Sequence, residues 1–394
     1  MKKKIIKFLY LYINNPLMKK LILSIFNKKF IFFEPKKYDV LILDKGMSKI
    51  YLEDICSSKQ IINEVFVDCF FKSLFACLKR LQFSKHHLSS HYLKLMIRKF
   101  KAKIIVAHEF QKNIFDIKDA KISTIVYQIA DHIDLHKHIL KKILTNSKFN
   151  SSPECTFYFI KHEKYKKLLN FVKTNFIISG SVKNNSKALE ENSLKKYDVM
   201  FISHFRLNPK KFENIYNMLF MPASHASMYY TAKRISEYCL NKDKTFCIGL
   251  SSNRKDKKKY INLKKEENLF FTSCAPNYKT ENIDVYDLAS KSELIVTTYS
   301  TLGLELLSLG KKVLFLDPLH FIEMNYIHQY AKDENEGFHW YGGTSKEKIY
   351  SQLDRLLNIS NVEWNKELKL SPLLIKYDKG NSILRDTIKK ILKI

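Results

Sequence analysis

The stretch YDLASKSELIVTTYSTLGLELLSLGKKVLFLDP (Tyr286–Pro318) decides the fold class. It reads as strand, turn, helix, strand. SELIVTTYS (Ser292–Ser300) is a short apolar run of the kind that forms a buried parallel strand, closing at Thr298. Ser300 and Thr301 stand where the next helix opens. Their hydroxyls, the N–H groups that a first turn leaves without intrahelical partners and the helix dipole together make an anion site. Gly303 lets a ligand or a neighbouring backbone come close. Glu305 lies one turn in, on the side that can meet a ribose. Gly310 ends the helix as a C′ residue, and Val313–Leu316 open the next strand. The same residues also read as an ordinary capped helix, since Ser and Thr are good N-caps and an acid suits a first turn.

Working outward, the same alternation recurs. Upstream lie the strands YDVMFISHF (Tyr197–Phe205), TFCIGLSS (Thr245–Ser252) and NLFFTS (Asn268–Ser273), with a helix near residues 228–241. Downstream, KKVLFLDP (Lys311–Pro318) closes the set, and a lysine-rich helical tail covers about 345–394. The N-terminal half repeats the pattern in Tyr38–Met47, Ala102–Glu109, Lys121–Asp131, Cys155–His162 and Asn175–Ser181, with a helical stretch over about 58–100. Strands alternating with helices imply βαβ units and parallel sheets. The expected organisation is a basic amphipathic segment over 1–35, a Rossmann-like domain over 36–185, a polar linker over 186–196 and a second Rossmann-like domain, with the helical tail, over 197–394. Ligands of open α/β sheets bind at the carboxyl ends of the strands. Two such domains facing each other across a cleft form the GT-B architecture, though two Rossmann-like halves also serve epimerases and periplasmic binding proteins.

The chain has 394 residues and a formal charge of +29, from 68 Lys+Arg against 39 Asp+Glu. That balance favours anionic partners. Part of it reflects heavy lysine use throughout, and the remainder is best met by an anionic membrane surface. No apolar run reaches the roughly 18–20 residues of a spanning helix. The start, MKKKIIKFLYLYINNPLMKKLILSIFNKKF, alternates basic and apolar blocks. Lys7 and Asn14-Asn15-Pro16 interrupt the core a signal peptide needs. The segment reads as interfacial instead, or as a helix packed on its own domain. The expected location is cytoplasmic, on the inner face of the membrane. The seven cysteines show no C-x-x-C spacing and sit mostly in apolar runs, as small buried hydrophobes do. Walker A, G-x-G-x-x-G and G-x-S-x-G motifs are absent, which argues against NTPases, the usual nicotinamide enzymes and α/β-hydrolases.

Other constellations fall at strand ends. DHIDLHKH (Asp131–His138) offers Asp131, His132 or Asp134 as base or nucleophile. His132 and His136 are at i, i+4, but the third ligand of a metal site is missing, so no metal is expected. The same run also reads as a polar helix start. Asp44, with Lys45, Gly46 and Ser48, ends the first strand, and His108 and Glu109 end the second. Both groups are placed for acceptor contacts or are simply loop. Arg254, in SSNRKDKKK, follows a strand and suits a phosphate.

VTTYSTLGLELLSLGKKVLFLD resembles the donor-binding element of GT-B glycosyltransferases, and in wording it is similar to bacterial capsule and lipopolysaccharide transferases of the Kdo-transferase kind. Ser300, Thr301, Leu302, Gly303 and Glu305 match that pattern, while Tyr299 stands where Asp is common. FISHFR (Phe201–Arg206) resembles the first strand and loop of the donor domain, which implies Ser203 and Arg206 near phosphate. NFIISGSVKNN (Asn175–Asn185) and GFHWYGG (Gly337–Gly343) resemble the flanking passages, and DVLILDKGMSKIY the opening strand. After the third strand, VYQIADHIDLHKH keeps Gln128 but lacks the Q-H-G or Q-N-G element common in the group. The resemblance implies transfer of a sugar from a nucleotide-sugar donor, such as CMP-Kdo, to a surface glycan or lipid-linked acceptor. It calls for no cofactor, no metal and no nucleic acid. A teichoic-acid type glycerophosphotransferase using CDP-glycerol shares the fold, and a non-catalytic scaffold at the membrane is the reading from a different class.

Overall fold

The computed structural model describes residues 29–31, 37–43, 52, 54–61, 64–79, 85–129, 153–187, 189, 194–207, 215–251, 261–298, 300–318 and 335–394. It divides into two compact units. Among the described residues, the first takes in those up to Ile129, those from 153 to Ser186, and Asp378–Ile394, and the second spans Lys187–Tyr377.

The first unit contains β1 (Lys29–Ile31), β2 (Val40–Ile42), β3 (Ser58–Gln60), β4 (Glu64–Phe66), α1 (Val67–Lys79), α2 (Lys85–Phe100), β5 (Ile104–His108), β6 (Ser123–Tyr127), β7 (Glu154–Ile160), α3 (Lys164–Leu168) and β8 (Lys173–Ile178). Six strands form one parallel sheet in the order β3-β2-β5-β6-β7-β8, and β1 pairs with β4 separately. Val40, Leu41, Ile42, Ile104, Ile105 and Val106 are fully buried, as in strands covered on both faces. The stretch 58–100, expected to be helical throughout, opens instead with β3 and β4. Ser-Lys-Gln carries no apolar period, and only its pairing with Val40–Ile42 makes it a strand.

The second unit contains β9 (Tyr197–Ile202), α4 (Ile215–Asn241), β10 (Phe246–Gly249), α5 (Ile261–Cys274), α6 (Val285–Ser290), β11 (Ser292–Thr297), α7 (Thr301–Ser308), β12 (Lys312–Leu316), β13 (Glu336–Gly337), β14 (Trp340–Tyr341), α8 (Lys346–Asn358) and α9 (Asn361–Leu370). The sheet runs β10-β9-β11-β12-β14-β13, parallel except for the last pair. Two expectations change. NLFFTS (268–273) is the end of helix α5, because Glu267, Phe271 and Cys274 recur at helical spacing and are buried together. Helix α4 begins well before 228 and runs through Pro222, a residue that reads as a breaker in sequence.

The tail is also reassigned. Helix α10 (Ser382–Leu392) belongs to the first unit, not to the second. Its buried stripe of Leu384, Ile388 and Leu392 joins the core made by Val40, Ile42, Leu52, Ile104, Val106, Ile125 and Tyr127. Amphipathic spacing fixes that α10 buries one face, but not which core receives it. The chain therefore leaves the first unit after Ser186 and returns at Asp378. Asparagines join the two crossings: Asn185 Nδ2 donates to Ser179 O (2.8 Å) and to Asn381 Oδ1 (3.1 Å), while Asp378 N donates to Asn185 Oδ1 (3.0 Å). Asn381 Nδ2 donates to Val182 O (2.9 Å), and Arg385 pairs with Asp54.

Candidate functional site

In the second unit β9 is laid first, β10 forms on one side of it and β11 on the other. The crossover reverses there, so the carboxyl ends of β9 and β11 flank a topological switch point, where open α/β sheets bind ligands. The two ends are tied: His204 Nε2 lies 3.3 Å from Thr298 Oγ1. Thr298 is fully buried and leads into the N-terminus of α7.

Ser300 is the N-cap of α7, with extended φ −79° and ψ 128°. Its backbone N–H donates to Thr297 Oγ1 (3.3 Å) and its carbonyl accepts from Gly303 N (2.8 Å). Its side chain makes no capping bond. Ser300 and Thr301 are both half-buried. The first-turn N–H groups of α7 thus open at the switch point, as the sequence suggests for Ser300 and Thr301. Gly310 is the C′ residue at φ 84°, a conformation that favours glycine.

Three expected donor contacts are placed differently. A Cβ on Gly303 would lie 2.6 Å from Thr297 Cγ2 and 3.1 Å from Phe315 Cε1, so this glycine lets α7 pack on the sheet. Glu305 is buried, and its carboxylate accepts from Tyr286 Oη (2.8 Å). Ser203 is buried too. It donates to Glu267 Oε1 (2.5 Å) and accepts from Phe205 N (3.1 Å), so its hydroxyl holds the loop. Glu267 Oε1 also accepts from Ser251 N (2.8 Å) and Ser251 Oγ (3.0 Å), which ties the exits of β9 and β10 to one carboxylate.

Arg206 is exposed on the loop after β9. The backbone there is held by His225 of α4, which stacks on Phe205 at 4.7 Å and bonds Arg206 O at 3.1 Å. Burial pushes the His225 imidazole below its usual range, against the carbonyl of Arg206, which favours the charged form. Among the described residues of this loop, Arg206 carries the cation, of the kind that pairs with a phosphate. Arg254 lies outside the described residues, as do Asp44, Asp131, His132, Asp134 and His136.

In the first unit, Glu109 is fully buried. It accepts from Ile129 N (2.8 Å) and from Tyr158 Oη (3.1 Å). Burial first, and then the carboxylate, push the Tyr158 hydroxyl far above its usual range. Lys161, equally buried, donates to Ile129 O (3.2 Å). Glu109 and Lys161 thus grip both polar groups of the Ile129 backbone. His108 Nδ1 accepts from Phe110 N (3.1 Å) within its own loop.

Glu267, His204, Thr298 and Tyr286 are the participants that sequence reasoning missed. Glu267 was legible in principle, at i−4 and i−7 of the buried Phe271 and Cys274.

Several solved structures are similar to the chain at low identity. The wall teichoic acid polymerase TagF is 11% identical, with 91% of this chain and 90% of that one covered, at a TM-score of 0.46. The spinosyn rhamnosyltransferase SpnG, solved with thymidine diphosphate, is 9% identical over 88% and 99%, at 0.43. Sucrose-phosphate synthase from Thermosynechococcus elongatus is 8% identical over 86% and 84%, at 0.44. No curated protein matches the sequence. Residues 141–392 match the family model described as "putative O-antigen biosynthesis protein". That span is more than half of the chain, and it takes in the switch point, α7 and the returning tail, so the chain belongs to this O-antigen biosynthesis family.

Proposed function

We propose that this protein is a glycosyltransferase of O-antigen assembly, moving a sugar from a nucleotide-activated donor to a surface polysaccharide or lipid-linked acceptor. The observation that carries the reading is the junction of β9 and β11 at their carboxyl ends, with His204 against Thr298 and the N-terminus of α7 opening beside them. Such an end favours the diphosphate or phosphate of a donor. In this scheme Ser300 and Thr301 hold phosphate, and Arg206, with Arg254, meets its charge. Glu305, bonded to Tyr286, shapes the ribose side. The bond from anomeric carbon to phosphate oxygen breaks, and the acceptor hydroxyl forms the new bond. A carboxylate or imidazole, Asp131 before His132 or Asp44, takes the acceptor proton. The nucleotide leaves onto the helix N-terminus, so the scheme needs neither metal nor cofactor. The sequence resemblance favours a CMP-activated ulosonic acid as donor, and the reaction belongs on the inner face of the cytoplasmic membrane.

The test is thermal stabilisation by CMP, CDP, UMP, UDP and GDP, on wild type and on Ser300→Ala/Thr301→Ala. One nucleotide should stabilise wild type, by about 2.7 kcal/mol at a hundredfold excess over Kd, and fail on the variant. A folded protein indifferent to all five overturns the transferase reading in favour of a scaffold. If CDP stabilises, turnover of CDP-glycerol rather than CMP-Kdo would move the activity to glycerophosphate transfer.

A further inference from the structure

Helix α1 buries Cys69, Ser73 and Cys77 and turns the opposite side outward. On that outer side stand Phe71, 57% exposed, and Phe75, 74% exposed, one turn apart, with the exposed Lys72 flanking them. A single exposed apolar side chain is ordinary, but two largely exposed aromatic rings one turn apart on one helix face form an apolar patch, although Phe71 also meets Phe70 edge-on at 5.8 Å. The charge around it is one-sided. From Val67 to Lys103 the sequence carries nine lysines and arginines against one acid, Asp68. That acid is already engaged by Lys99 at 2.8 Å. Helix α2, packed against α1, exposes Lys94 and Arg98, and the exposed Lys101 follows just past its end.

We propose that the α1–α2 lobe is a docking surface for an anionic lipid bilayer, with Phe71 and Phe75 entering the boundary between headgroups and acyl chains. Lys72, Lys94, Arg98 and Lys101 supply the charge that the headgroups neutralise. Rings of this size have no polar tip to satisfy, so a lipid interface accepts them without a hydrogen-bonding partner. A nucleic acid would answer the charge but gives aliphatic depth to neither ring. The inference rests on the membrane partner of the reading above but not on its chemistry, so lipid binding and nucleotide binding can fail independently.

The experiment is co-sedimentation of the full chain with phosphatidylcholine vesicles, with and without phosphatidylglycerol. Wild type should partition onto the anionic vesicles. Phe71→Ser/Phe75→Ser should lower that partition about tenfold or more, with no loss of nucleotide stabilisation. Lys94→Gln/Arg98→Gln/Lys101→Gln should remove most of the preference for anionic over neutral vesicles. Both rings are largely exposed, so circular dichroism of the variants should match wild type. Wild type left in the supernatant overturns the proposal. So does a phenylalanine variant that binds as well as wild type, which would move the contact to another segment such as residues 1–35. A concentration-dependent dimer of wild type that the phenylalanine variant loses, without vesicle binding, would make the patch a self-association face and equally overturn it. Salt-sensitive RNA binding lost in that variant, without vesicle binding, would do the same.

Discussion

The hydroxyl of Ser203, just past β9, donates to the carboxylate of Glu267 in α5 across 2.5 Å, and neither residue reaches solvent appreciably. The same carboxylate oxygen takes two more bonds from Ser251, just past β10. One side chain of a helix thus sets the exits of two neighbouring strands at the switch point. The loop that carries Arg206 gains an anchor from it, because loops otherwise keep their conformational freedom.

Glu267→Ala should therefore cost about 2–4 kcal/mol of stability, since it strands buried donors on Ser203 and Ser251. Glu267→Gln keeps an acceptor oxygen and should cost less. Urea unfolding of the three proteins checks the order. Equal stability of wild type and Glu267→Ala would mean that the carboxylate does not hold the loops.

Gly303→Ala should destabilise by about 1–3 kcal/mol through overpacking, although alanine is the better helix former. The clash is with Thr297 Cγ2 at 2.6 Å, and Thr297 Oγ1 is the acceptor for Ser300 N. Thr297→Ser removes the methyl and keeps the oxygen. The double variant should recover much of the loss, and a double-mutant cycle with no coupling would refute the contact.

Asn185 and Asn381 should be as sensitive as core residues. Asn185→Ala removes the partner of Ser179 O, Asp378 N and Asn381 Oδ1 in these bonds and should cost about 2–4 kcal/mol. Asn381 sits at φ 57°, in the left-handed region, and Asn381→Gly should be milder than Asn381→Val. Limited proteolysis near residue 378 should report release of α10 in Asn185→Ala.

His339 should make the protein acid-sensitive. It is almost fully buried, with Nδ1 at 3.1 Å from Val313 O and Nε2 at 2.6 Å from Ser371 Oγ, and burial drives its imidazole down to about 4. The unfolded chain titrates near 6.5, so between those values the native state binds fewer protons. Its contribution is present above pH 6.5 and lost as pH falls to about 4, by about 3 kcal/mol on a per-unit basis. Stability measured from pH 7 to pH 4 should fall more steeply in wild type than in His339→Gln. Parallel curves would place the acid sensitivity elsewhere.

Much of the fold was legible in the sequence. The strands 104–108, 123–127, 197–202, 246–249, 292–297 and 312–316 each fall within an expected run, and 154–160 opens one residue before its own, because buried parallel strands read as continuous apolar segments. Ser300 as N-cap and Gly310 at positive φ were legible too, since both follow from local backbone chemistry. Strand 58–60 and helix 261–274 were misread: the first has no apolar signal of its own, and the second carries a buried glutamate where an apolar residue is usual.

The sequence by itself determined the α/β class, the alternating order of elements and the position of the α7 N-terminus, because periodicity, caps and glycines act over a few residues. Tertiary structure alone decided that α10 closes the first unit, that Ser203 bonds to Glu267, that Gly303 meets Thr297 and Phe315, and that Glu305 lies against Tyr286. Each of those pairings joins residues that a local pattern cannot relate. A buried face or a buried carboxylate states only that it needs a partner, and the packed fold selects which one.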